Sequence, residues 1–289
     1  MDVWIIINPI LKVLFYAASF ASLGVVLFSL HFTKFLTVEQ KAYCDNLTFK
    51  TARIGSVVSL LMFFSVAGNL GGDIASVIEP LMLRLAIESK SGIGYLTAFI
   101  GFMGLFMVHR LRGHAIRVGL LVSSAAILLS FTMYGHSQLG GFASQALLII
   151  HLLCISFWLG ALLPFRWMCL QPDTHNLSIV AHRFGVLAIG YVSLLLSAGV
   201  GYAYLLLGNV SLLLTTQYGN VLLIKIVLVA ALLSLAALNK FKLVPSLEPR
   251  WTPNVRQFQR SIQFEIAIAL IILIASSLLT TSMTLPMGM

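Results

Sequence analysis

Long stretches almost free of charge constrain this chain more than any other feature. Eight of them lie at about 4–30, 54–78, 92–109, 115–134, 144–168, 184–207, 219–239 and 262–283. Each is near or above the roughly 20 apolar residues a helix needs to cross about 30 Å of hydrocarbon. Barrel strands would alternate apolar and polar residues, whereas the run over 181–207 is continuously apolar. Helices are therefore expected throughout. The connections between stretches are too short to hold a soluble domain. Residues 1–289 are expected to form one integral membrane domain, an all-α polytopic bundle of eight transmembrane helices. Met1-Asp2 supplies no positive n-region and the first apolar run is long, so that run is expected to stay as a span and not to be a cleaved signal.

Composition closes off the alternatives. Only 9% of the 289 residues are charged and mean hydropathy is +0.99, against about 25% charged residues in a soluble globular chain. An ordinary soluble enzyme, a disordered protein and a nucleic-acid binder are excluded on that ground. The formal net charge of +9 has a membrane explanation, because lysine and arginine accumulate in cytoplasmic loops. Fourteen of the 18 basic residues fall after the first, third, fifth and seventh stretches. They are Lys34, Lys41, Lys50 and Arg53, then Arg110, Arg112 and Arg117, then Arg166 and Arg183, then Lys240, Lys242, Arg250, Arg256 and Arg260. The positive-inside rule then places the odd loops in the cytoplasm and both termini outside. Cys44, Cys154 and Cys169 are too few and too scattered for a disulfide framework.

Polar groups within the apolar stretches are the candidates for function, because each is costly in lipid. Lys12, Asp73 and Lys225 all fall in the outer half of the bilayer under this topology. They either line one polar vestibule, where they neutralise one another, or the two lysines snorkel to the outer headgroups. Glu265 stands alone near the cytoplasmic side, where it can snorkel or pair with Arg260. The run Ala67-Gly68-Asn69-Leu70-Gly71-Gly72-Asp73 either breaks the second helix beside a cavity or simply ends it.

Histidines and sulfurs sort by side. His136 closes the fourth stretch and His151 lies in the outer third of the fifth, so two imidazoles come from consecutive antiparallel helices. Imidazole suits copper, zinc, iron and nickel, and thioether selects Cu(I). Met133 lies three residues before His136, and the tail adds Met283, Met287 and Met289. These residues form the candidate metal site. Cys154, one helical turn after His151, is either a relay ligand further in or an ordinary small core residue.

With those residues in view, the second half of the chain resembles the CopD/PcoD copper resistance proteins. The resemblance is carried by His151-x₆-Trp158-Leu159-Gly160-Ala161-Leu162, by Arg183-Phe184, and by Tyr218-Gly219 with Leu222, Leu223 and Lys225. Ala236-Ala237-Leu238-Asn239-Lys240 and Leu243-Val244-Pro245 complete it, so it is strongest over 135–245. The family usually has serine after Arg-Phe, where this chain has Gly185. The resemblance implies copper handling at the periplasmic face of a bacterial inner membrane, beside a small periplasmic copper-binding partner of the CopC type. It implies a bound copper ion, uptake as the direction, and roles for His136, His151 and Lys225.

Three functions remain distinct at this level. The first is a copper permease with an outer His/Met site. The chain has no Gly-x₄-Gly-Lys-[Ser/Thr] motif, so it is not expected to be an ATP-driven pump; separately, no enzyme activity is expected of it. The second is an electron-transfer protein in which His136 and His151 ligate a b-type haem. The third is a non-transporting factor that loads or stores copper.

Overall fold

Every long apolar stretch becomes helix in the computed structural model, which describes residues 3–135, 141–171, 174–207, 212–247 and 252–281. In chain order the α-helices are α1 (Trp4–Phe32), α2 (Val38–Gly71), α3 (Pro80–Glu88), α4 (Lys90–Met107), α5 (His114–Ser130) and α6 (Gly141–Met168). They continue as α7 (His175–Leu207), α8 (Leu212–Thr215), α9 (Gln217–Leu238) and α10 (Thr252–Thr281). A π-helical turn, Asn239–Leu243, extends α9. Among the described residues no strand occurs. Seven helices, α1, α2, α4, α6, α7, α9 with its π turn, and α10, are long and apolar enough to cross a membrane. The eighth expected span corresponds to α5, which has 17 residues. At 1.5 Å per residue that is about 26 Å, short of the roughly 30 Å hydrocarbon thickness.

The odd-numbered loops are shorter than the apolar runs suggest, because helices extend well beyond them. Lys41, Lys50 and Arg53 belong to α2, Arg183 to α7, and Arg256 and Arg260 to α10. The cause in α2 is local. Thr37 accepts from the Gln40 backbone amide and the Gln40 side chain accepts from the Thr37 amide, a capping box that starts the helix long before its lipid-facing part. Asn176, at the start of α7, then donates to Gln40 Oε1 at 3.0 Å and to the Phe35 carbonyl. Arg183 lies 3.9 Å over the Phe35 ring. Helices α2 and α7 thus begin with basic extensions tied together at one end, called here the basic end, and α10 also begins with basic residues.

At the opposite end of α2 the glycine run ends the helix and does not break it. Gly72 takes φ 82°, and its amide bonds the Gly68 carbonyl at 2.9 Å, a left-handed cap that favours glycine. Gly68 has its own reason to lack a side chain, since a Cβ there would lie 1.9 Å from the Trp4 ring.

The packing is organised around α1. On one side it meets α2, α4 and α5 through Phe15, Tyr16, Tyr95, Phe102, Phe131 and Tyr134. On the other it meets α6, α7 and α10 through Phe28, Phe32, Phe157, Phe165, Val180 and Ile262. The crossing with α6 is backbone to backbone. A Cβ on Gly160 would fall 2.1 Å from the Gly24 Cα, and one on Gly24 would fall 2.0 Å from the Ser156 carbonyl oxygen. Small residues permit such closeness, which supplies van der Waals contact where lipid removes the hydrophobic driving force. Helices α7 and α9 sit at the periphery and turn large apolar residues outward, among them Val186, Ile189, Val200, Ile224 and Val227.

Candidate functional site

His151 projects from α6 toward α7, in the half of the bundle away from the basic end. Its Nδ1 lies 3.3 Å from the Leu195 carbonyl oxygen. The ring rests against Gly199, whose missing side chain makes the room: a Cβ there would come 3.0 Å from Cε1 and 3.1 Å from Nδ1. With Nδ1 donating to Leu195, the neutral imidazole leaves an unprotonated Nε2 to act as an acceptor or ligand. Among the described residues none bonds Nε2.

The other expected site residues are placed separately. Lys12 is buried between α1, α4 and α5, with its Nζ 3.3 Å from the Tyr95 hydroxyl oxygen, to which it donates. The ammonium also lies 4.7 Å from the Tyr134 ring centroid and 5.9 Å from that of Tyr95. Asp73 lies past the end of α2, where Oδ1 accepts from the Ser76 amide at 2.8 Å and the Ser76 hydroxyl at 2.6 Å. Those two bonds hold its carboxyl below the usual carboxylate range, the hydroxyl contributing most. Among the described residues no ion pair joins Lys12, Asp73 and Lys225, and the one salt bridge is Arg84–Glu88 at 3.0 Å. Met133 packs onto α4, where its Sδ accepts from Thr97 Oγ1 at 3.8 Å. Cys154 is a buried free thiol in the core shared by α6 and α7. His136, Met283, Met287 and Met289 lie outside the described residues. Among the described residues no three His, Cys, Asp or Glu side chains cluster as a metal site would require.

The Lys12 arrangement yields a testable expectation. A cation over a ring contributes about 0.5–2 kcal/mol, which offsets only part of the cost of burying an ammonium. Lys12→Met keeps the length and removes the charge, so the melting temperature in detergent should hold or rise, by an amount equivalent to about 1–3 kcal/mol. A fall of several degrees would show the ammonium to be a structural requirement.

Glu265 neither snorkels nor meets Arg260, contrary to the sequence expectation. It is 3% exposed, while Arg260 faces outward. Trp158 Nε1 donates to Oε2 at 3.1 Å, and the Asn239 amide donates to Oε1. Three helices thus converge on one carboxyl: α6, α10 and the π turn after α9. Trp158 and Asn239 were visible only as members of motifs. Nothing in the sequence joins residues 107 and 26 positions away from the glutamate. Gly185, where the family usually has serine, offers its carbonyl oxygen to Lys240 Nζ at 2.5 Å.

Taken together, the helices and their few buried polar groups define a polytopic membrane protein of the all-α class. Comparison with known proteins narrows the class. Residues 179–279 match the family model for CopD, Copper resistance protein D, so the resemblance read from the sequence over 135–245 holds where the two overlap, from 179 onward. The matched segment starts after the motif from His151 to Leu162 and includes Lys225, Asn239 and Glu265. Among curated proteins, the inner membrane protein YebZ of Escherichia coli (strain K12) is 26% identical over 239 residues, 80% of this chain and 82% of that protein. No solved structure matches.

Proposed function

We propose that this protein binds copper through His151 and admits it from the outer face of an inner membrane toward the cytoplasm. One observation carries the reading: the Leu195 carbonyl holds Nδ1 of His151. Metal-ligating histidines commonly donate their second ring nitrogen to a backbone carbonyl or carboxylate, which fixes the tautomer and raises ligand basicity. The CopD match favours copper as the metal in this reading, and thioether partners favour Cu(I). His136, Met283, Met287 and Met289 are the proposed further ligands, with Cys154 as the relay one turn deeper; Met133, held against α4 by Thr97, stays outside this set. In this reading both termini are periplasmic and the tail methionines meet copper delivered by a small periplasmic protein of the CopC type.

Lys225 fits a site that passes its cargo on. An ammonium beside the bound cation would oppose it and keep affinity low enough for release. Lys225→Gln should therefore tighten copper binding by about tenfold, or about 1.4 kcal/mol, while slowing release. Equal affinity in competition titrations of the two proteins would remove Lys225 from the site.

The functional test is copper uptake by sealed proteoliposomes containing the full chain. The reading requires uptake above that of empty vesicles and its loss in His151→Ala. Copper bound at stoichiometric amounts without uptake would make the protein a loading or storage factor. A Soret band from the purified protein would assign the histidines to haem.

A further inference from the structure

The contacts of Glu265 leave a deficit of one positive hydrogen. Its carboxyl is 3% exposed and, among the described residues, receives two neutral donors, Trp158 Nε1 and the Asn239 amide. Among the described residues no lysine, arginine or histidine lies within ion-pair distance. Trp158, which bonds the carboxyl, belongs to an apolar core that also holds Phe258 and Ile262 on α10, Leu243 on the π turn and Phe165 on α6. A second deficit lies at the same place. The Oδ1 atom of Asn239 is buried with no hydrogen-bond donor, although Asn239 itself is only 8% exposed. An ionised carboxylate without a counter-ion and an amide oxygen without a donor are both expensive inside a bundle.

The charged and titratable groups nearby do not supply what is missing. Toward the basic end these are Lys240 and Lys242 on the π turn, Arg256 and Arg260 on α10, Cys154 and Arg166 on α6, Cys169 just past its end, and His31 on α1. Lys240 is taken by the Gly185 carbonyl, and His31 by the Leu27 carbonyl and the Tyr191 hydroxyl. None of the group bonds or pairs with Glu265 among the described residues.

We infer that Glu265, framed by Trp158 and Asn239, is a proton-binding site inside the bundle and holds its proton at neutral pH. Protonation forms one O–H bond on the carboxyl and removes the uncompensated charge. It also adds a donor beside the Asn239 amide, whose oxygen and nitrogen exchange places by a half turn of the side chain. The π turn contributes to the site, since such insertions re-aim side chains and recur where helices carry function. Here it holds Asn239 against α10. Where the copper reading above holds, this proton is available to exchange against the charge of the cargo.

Infrared difference spectra of the full chain in lipid vesicles test the site without any copper. Wild type minus Glu265→Gln should show a carboxylic-acid C=O band at neutral pH that disappears reversibly at alkaline pH. Absence of that band, with carboxylate bands in its place, overturns the inference. Trp158→Phe guards against a glutamine variant that fails to fold. It removes the donor to Oε2 and should shift the same band to higher frequency, and an unmoved spectrum would count against the site. A band with no copper uptake upholds the proton site and faults only the copper reading.

Discussion

Gly160→Leu should yield almost no folded protein. The residue sits where α6 crosses α1, and even a single added carbon would fall 2.1 Å and 2.2 Å from the Gly24 Cα and carbonyl carbon. Those neighbours are backbone, so no rotamer change relieves the clash. The helices must part, and α1 is the element on which both halves of the core depend. Overpacking by side chains costs about 1–3 kcal/mol, and a backbone clash at a central crossing should exceed that range. Against a total stability of about 5–15 kcal/mol, the variant should aggregate on solubilisation or melt far below wild type. Gly190→Ala is the control, because nothing lies within 4 Å of a Cβ there. It should be neutral or slightly stabilising, as alanine is favoured over glycine within a helix. Equal stability of the two variants in a size-exclusion and melting assay would contradict the crossing.

The second large effect is expected at Gly199, which touches no cargo. Valine there brings carbon within about 3 Å of the His151 ring on the side that faces Leu195. The Nδ1 contact to Leu195 is already 3.3 Å long, so a small displacement ends it. Loss of such an orienting bond typically costs 10–100-fold in metal affinity, and a comparable rise in the copper Kd is predicted for Gly199→Val. Gly201→Val provides the comparison: a Cβ there meets only the flexible end of Leu147, at 3.3 Å, and its affinity should match wild type. Unchanged affinity in a folded Gly199→Val protein would mean that the Leu195 bond does not prepare the imidazole.

The sequence disclosed what depends on length and hydropathy. The apolar runs located the lipid-crossing part of each long helix, and α5 fell short only because its own helix is a few residues too brief. Helix starts were less visible. A hydropathy run marks where lipid begins, whereas the capping box at Thr37 and Gln40 marks where the helix begins, and in α2 these are far apart. The glycine run before Asp73 could be read two ways. The structure resolves it through the positive φ of Gly72 and the Trp4 ring against Gly68. His151 stood out because an imidazole inside an apolar run is conspicuous. Its supports did not, since a leucine carbonyl and a glycine on another helix carry no compositional signal. Lys12 and Glu265 show the same asymmetry. The ionisable residue is legible, but its partners, Tyr95 and Tyr134 or Trp158 and Asn239, are joined only by tertiary packing.

Copper X-ray absorption on the purified chain, wild type beside His151→Ala, tests the central claim most directly. The account predicts imidazole scattering in the copper-loaded wild type that diminishes in the alanine variant, together with weaker copper retention and unchanged helix content. Identical spectra and identical retention in the two proteins would contradict it.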